Sequence, residues 1–199
     1  YSQWDTLKRY AKLKCVSLIG DIPIYPSLDS ADVWVHREAF KLDNNCVPIV
    51  VAGFPPDDFS KKGQLWGNPI YNWDYLKSTD YKWWIDRLKA SFRFFDIVRL
   101  DHFRGFESFY EIKYGSKDAV KGKWIKGPGI DFFNVVNDKL SNPNIIAEDL
   151  GYLTKDVKRL LKKTRYPGMK ILQYGFDGSN ENQYLPHNYE ENSAAFTGT

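Results

Sequence analysis

A local pattern recurs along this chain: a short, mostly apolar run that ends in a carboxylate. Ile97-Val98-Arg99-Leu100 runs into Asp101, Ile145-Ile146-Ala147 runs into Glu148, and an earlier run, Cys15 to Ile19, leads to Gly20-Asp21. Runs this short and this apolar suit strands covered on both faces, which is the condition of a parallel sheet. Asp101 and Glu148 are 47 positions apart, enough for one strand, one helix and the connections between them. Consecutive parallel strands direct their C-terminal ends to the same face, so the pattern predicts an enzyme site with paired carboxylates.

The segments between the runs agree with an α/β chain. Trp4, Leu7, Tyr10, Ala11 and Lys14 predict a first helix, and Trp84, Ile85, Leu88, Phe92 and Phe95 a second, amphipathic one capped by Thr79-Asp80. Further helices are expected over Phe132 to Leu140 and from a Thr154 cap to about Lys163. Further strands are expected at Met169 to Tyr174 and Ala194 to Phe196. With 199 residues, 43% of them hydrophobic and 17% aromatic, the chain can bury a sizeable core. Roughly five strands result, whereas a closed (β/α)8 TIM barrel takes about 250 residues. The expectation is therefore an incomplete segment of such a barrel, with residues 1–199 forming part of one catalytic domain. A doubly wound sheet would suit the length, but no glycine-rich phosphate loop follows any strand. From about 44 to 73 the pattern dissolves into Pro, Gly, Asn and aromatic residues. That stretch is read as a long active-site loop, since ordinary α/β connections take about 2–6 residues.

Several classes are disfavoured. Lys+Arg 28 against Asp+Glu 25 gives a net charge of only +3, and the lysines are scattered, so nucleic acid is not an expected partner. No run approaches the roughly 18 consecutive apolar residues of a membrane span, and Tyr1-Ser2-Gln3-Trp4-Asp5 has neither a charged nor an apolar leader region. A cytoplasmic monomer is expected. Cys15 and Cys46 are too few and too differently placed for a disulfide framework or a zinc site. His36 and His187 are assigned to the surface or to structure.

Arg99 precedes Asp101 by two positions, so in a strand the two side chains share a face, where a guanidinium favours an ionised carboxylate. Glu148, surrounded by apolar residues and near that negative charge, is expected to hold its proton more strongly. One ionised nucleophile and one protonated acid are what retaining glycosyl transfer needs, at a separation of about 5–5.5 Å. A single Asp or Glu at a strand end is commonly just a structural ion-pair partner; two in these contexts argue for chemistry. A metal held by Asp21, Asp101, His102 and Glu148 is the rival, which chelators would reveal. The stretch Gly53-Phe54-Pro55-Pro56-Asp57-Asp58-Phe59 and Gly63-Gln64-Leu65-Trp66-Gly67-Asn68-Pro69 combines aromatics with amides, as sugar recognition requires. Trp66 is the expected stacking platform, although a loop Trp beside prolines is often a packed surface plug.

These segments, with Gly20-Asp21-Ile22-Pro23-Ile24-Tyr25, Ser30-Ala31-Asp32-Val33-Trp34, Arg99-Leu100-Asp101-His102-Phe103-Arg104-Gly105 and Ile146-Ala147-Glu148-Asp149-Leu150-Gly151, closely resemble the 4-α-glucanotransferase (amylomaltase, disproportionating enzyme) family. The resemblance runs nearly end to end. It implies a (β/α)8 barrel of the α-amylase clan that acts on maltooligosaccharides and α-1,4-glucans by a retaining double displacement, without cofactor or metal. It puts the nucleophile on Asp101 and the acid/base on Glu148. Arg99 and His102 fall around the sugar bound there, Asp57, Trp66 and Asn68 fall in the loop over the acceptor sites, and Asp21 lines the same cleft. An α-glucan hydrolase or a non-catalytic glucan-binding protein are the alternatives. The family's third carboxylate belongs to a Thr-Gly-Thr-His-Asp motif, of which this sequence holds Thr197-Gly198-Thr199. The isolated segment is therefore expected to be inactive, and maltotriose disproportionation by the 199-residue chain would overturn that.

Overall fold

The computed structural model describes residues 1–58, 60–151 and 153–198; Phe59 and Thr199, both in motifs quoted above, lie outside them. The elements run α1 (Ser2–Leu13), β1 (Ile19–Ile22), α2 (Ala31–Val35), β2 (Val50–Phe54), β3 (Gln64–Pro69), α3 (Trp73–Ser78), α4 (Lys82–Phe94) and β4 (Ile97–Leu100). There follow β5 (Ser108–Lys113), β6 (Gly122–Lys126), α5 (Ile130–Leu140), β7 (Ile145–Ala147), α6 (Lys155–Thr164), β8 (Gly168–Ile171) and β9 (Ser193–Phe196).

Five of the strands form a parallel sheet in the order β1-β4-β7-β8-β9. Its register sets Asp21 beside Arg99 and Arg99 beside Ile146. Alternate residues then separate into two layers. Ile22, Val98, Leu100, Ile145 and Ala147 belong to one buried cluster with Trp84 and Leu88 of α4, Phe132, Phe133 and Val136 of α5, and Val157 and Leu160 of α6. Ile146, Met169 and Ile171 form a separate cluster with Ile97, Leu150, Ala194 and Phe196. Three successive crossover helices thus cover the same face of the sheet. That is the arrangement of a barrel arc; a doubly wound sheet would carry helices on both faces. The five-stranded arc matches the expected fold class.

The stretch read as a long loop is different. Within 44–73 lie β2 and β3, which pair antiparallel and join β5 and β6 in a second sheet of order β3-β2-β5-β6. The sequence hides it because this sheet is only half covered. β3 is exposed over its first three residues, and β5 carries Glu111, whose carboxylate meets Lys41 at 3.0 Å and Lys123 at 3.6 Å. Aromatic and charged residues on a half-solvated antiparallel sheet give a weaker signal than the apolar runs of the parallel one.

Smaller differences have local causes. β1 starts at Ile19 instead of Cys15, which sits exposed in a left-handed turn (φ 56°) after α1. Thr79 does not cap α4; its hydroxyl donates to the carbonyls of Tyr75 and Leu76 and closes α3, and Tyr81, itself left-handed, precedes α4. Thr154 does cap α6, accepting from the Val157 amide. After Ile171 the strand expected to reach Tyr174 gives way to a 3-10 turn, Leu172–Gly175. No helix among the described residues is long and apolar enough to cross a membrane.

Candidate active site

The parallel sheet places its site residues through backbone bonds that cross from strand to strand. The amide of Asp101 donates to the carbonyl of Ile22 at 3.0 Å, and that of Glu148 to Leu100 at 2.9 Å. Both acids therefore sit at the C-terminal ends of neighbouring strands. Beyond Asp101 the chain turns at once: His102 adopts a left-handed conformation (φ 49°, ψ 51°), which a non-glycine residue holds only when its surroundings enforce it. Two things do so here. Phe103 and Phe106 of the following 3-10 turn are fully buried, stacking on Phe133 and Phe132. The His102 amide donates to one Glu148 carboxylate oxygen at 2.7 Å, while the Leu150 amide donates to the other at 2.9 Å. A single turn thus follows Asp101 and orients Glu148.

Arg99 lies between two acids, its Nη1 2.7 Å from Asp21 and 2.9 Å from Asp101. Its Nε donates to the sulfur of Met169 at 3.2 Å. Asp101 faces a fixed cation, whereas Glu148 has a different setting. Burial pushes the Glu148 carboxyl above its ordinary value, the nearby Asp101 charge adds to this, and the two backbone amides and Arg99 oppose it. His102 is driven the other way, down to about 3, by burial and by the positive charge of Arg104. Its imidazole is therefore neutral over the whole physiological range.

Phe54, Asp57, Trp66, Arg99, Asp101, His102, Arg104 and Glu148 line one cleft of about 520 Å³, together with Asp58, Gln64, Leu150 and Gly151. The structure thus brings together six of the residues expected from the sequence: Asp57, Trp66, Arg99, Asp101, His102 and Glu148. Asp21 stands beside them through its contact with Arg99, more than half exposed. Asn68 departs from the expectation. Its side-chain amide donates to the Pro26 carbonyl at 2.9 Å, tying β3 to the segment after β1, and it is not among the cleft-lining residues. The cleft-lining positions of β3 are instead Gln64 and Trp66, two residues apart and linked by a hydrogen bond of 3.0 Å. Asp57 accepts from the Ser60 amide at 2.8 Å and so shapes the turn between β2 and β3.

Sequence reasoning missed Phe54, Gln64 and Arg104 as lining residues. Phe54 pairs directly with Gln64 across the hairpin, but 50–54 is apolar throughout and 64–69 does not alternate, so no period of two marked either residue in the sequence. Arg104 is only 6% exposed, and the turn after His102 brings it back into the cleft.

Asp149 faces away from these groups. It is buried and accepts from the Met169 amide at 2.7 Å. Gly168 is required there, since a Cβ on it would lie 2.6 Å from the Asp149 carboxylate. Gly168→Ala is expected to destabilise the protein by about 1–3 kcal/mol through this overpacking, measured by equilibrium denaturation; an unchanged midpoint would show that Asp149 can yield at no cost.

A family profile described as 4-alpha-glucanotransferase matches residues 1–199. The chain is 54% identical over 200 residues to a 4-alpha-glucanotransferase of Clostridium butyricum and 50% identical over 199 residues to one of Streptococcus pneumoniae, in each case over 100% of this chain, and 41% and 39% of theirs. Among solved structures, an amylomaltase from Streptococcus agalactiae in complex with acarbose superposes with a TM-score of 0.96 at 48% identity, covering all of this chain and 40% of that one. An amylomaltase from Corynebacterium glutamicum, at 20% identity and a TM-score of 0.85, shares the fold. The chain spans about two fifths of the length of the curated relatives it matches.

Proposed function

The chain belongs to the 4-alpha-glucanotransferase family, and on that premise we propose that its cleft transfers a segment of an α-1,4-glucan to the 4-hydroxyl of another glucan or of glucose. The observation that carries this reading is the contrast between the two strand-end acids: Asp101 is paired with Arg99 at 2.9 Å, while burial pushes the Glu148 carboxyl up.

In the first step Asp101 attacks the anomeric carbon of the donor. The bond from that carbon to the glycosidic oxygen breaks, and Glu148 gives its proton to the departing oxygen, so that a shortened glucan leaves with a free 4-hydroxyl. In the second step Glu148, now a carboxylate, takes the proton from the 4-hydroxyl of an acceptor as that oxygen attacks the same carbon and frees Asp101. Two inversions leave the α configuration retained. Arg99 pairs with Asp101 at 2.9 Å and aims it, and its second partner, Asp21, fixes the guanidinium from the other side. Trp66 and Phe54 present apolar faces on which a sugar ring can stack, and Asp57 and Gln64 lie within the same cleft as polar partners. The acarbose complex of the Streptococcus agalactiae amylomaltase supports a maltooligosaccharide-like ligand for this chain. Free thiols at Cys15 and Cys46 fit a reducing compartment such as the cytoplasm.

Incubating the full-length protein with maltotriose tests the reading. Glucose with a ladder of longer maltooligosaccharides is the expected result. Maltose and glucose without a ladder would make water the acceptor and the protein a hydrolase; no turnover would leave a binding protein.

A further inference from the structure

Trp124, in β6, does not line the cleft, yet it bears on it through a chain of ring contacts. The Arg104 guanidinium lies 4.1 Å from the centre of the Trp124 ring and 5.6 Å from that of Phe54. Phe54 meets Trp124 edge to face at 5.6 Å and His102 at 6.2 Å, and His102 meets Trp66 edge to face at 4.8 Å. Arg104 and His102 belong to the turn after Asp101, Phe54 and Trp66 to the β2–β3 hairpin. The hairpin is not part of the parallel sheet that positions the acids, so this stack joins the two sheets across the cleft. We propose that Trp124 is a positioning residue for sugar transfer: by stacking on Arg104 and meeting Phe54 edge to face, it closes a three-way contact that keeps the Trp66-bearing hairpin in place over the acids and so sets acceptor affinity.

The acids themselves are positioned by other contacts. Glu148 is held by the amides of His102 and Leu150, and Asp101 by Arg99 and the Ile22 carbonyl. β6 stays paired without the indole, through its register with β5, the Gly122 amide on the Tyr110 hydroxyl at 3.0 Å and the Gly127 amide on the Glu107 carbonyl at 2.8 Å. Loss of the indole therefore loosens one wall and leaves the nucleophile and acid in place.

This inference rests on the transferase reading, and the experiment separates the two. In the full-length protein, formation of the glycosyl-enzyme is followed by fluoride release from α-maltosyl fluoride, and transfer by the KM for a maltose acceptor. Trp124→Leu is expected to raise the acceptor KM about fivefold, the scale of a lost cation–π contact to a partly exposed ring, while fluoride release changes less than about twofold. Trp124→Phe, which restores a ring face, should recover most of the affinity. Arg104→Lys, which keeps the charge and loses the planar face, should raise the acceptor KM as much as Trp124→Leu, and the double variant should raise it no further than either, because both break one stack. Equal losses in Trp124→Phe and Trp124→Leu, additive losses in the double variant, or a parallel fall in fluoride release would overturn the proposal. Wild-type protein that forms no ladder from maltotriose would instead sink the transferase reading, and this inference with it.

Discussion

Asp101→Asn is expected to abolish transfer, by about 10⁴-fold or more in kcat, while leaving the fold intact. The amide is isosteric with the carboxylate but has no charge with which to attack an anomeric carbon, and about 5 kcal/mol of transition-state stabilisation is lost with it. Structural damage should be slight. Arg99 keeps its 2.7 Å contact to Asp21, and the Asp101 side chain is partly exposed, so the Arg99 pair contributes little to stability by itself. Maltotriose disproportionation and a denaturation midpoint, measured together, check both halves. A smaller side chain gives the sharper test. Asp101→Gly supplied with azide and α-maltosyl fluoride should yield a β-glycosyl azide, because the small anion enters from the side the carboxylate occupied and only one inversion takes place. An α-azide, or an Asp101→Asn variant of near wild-type rate, would remove Asp101 from the nucleophile's position.

The meeting of Asp101 and Glu148 in one cleft was legible in the sequence because of the kind of sheet it rests on. Parallel strands buried on both faces announce themselves as short apolar runs, and their C-terminal ends converge by topology alone, so Asp101 and Glu148 could be paired at a distance of 47 positions. The side of the sheet taken by the helices was not legible, and it became clear only from the shared cluster of α4, α5 and α6 residues. The antiparallel sheet escaped for the opposite reason. Its strands are half solvated, and the buried Glu111 of β5 and Glu107 just before it are met by Lys41, Lys123 and Lys126, a compensation that strand periodicity does not encode. Asn68 shows the limit of motif reading. A residue within a motif that contributes Gln64 and Trp66 to the cleft spends its own amide on the Pro26 carbonyl.

Glu148→Gln should separate the two half-reactions. With maltotriose, whose leaving oxygen needs a proton, a loss of about 10²–10⁴-fold is expected. With α-maltosyl fluoride the leaving group needs little assistance, so fluoride should be released in one fast turnover and the glycosyl ester on Asp101 should accumulate, since no base remains to activate the acceptor. Azide, which needs no base, should then release an α-glycosyl azide, the stereochemical opposite of the Asp101→Gly product. The pH dependence follows from the same surroundings. Burial, then the Asp101 charge, raise the Glu148 carboxyl, against the backbone amides and Arg99. A general acid works only while protonated, so kcat/KM for maltotriose should fall as pH rises through this raised value, and that alkaline limb should be absent for Glu148→Gln acting on the fluoride. Once Asp101 is esterified its charge is gone, one cause of the upward shift is removed, and Glu148 gives up its proton more readily when it must act as a base. In Asp101→Asn the same charge is missing permanently, so the Glu148 carboxyl, followed by carbon-labelled NMR, should titrate lower than in the wild type. An unchanged titration would mean that the two acids do not sense each other, and the double displacement would lose its electrostatic basis.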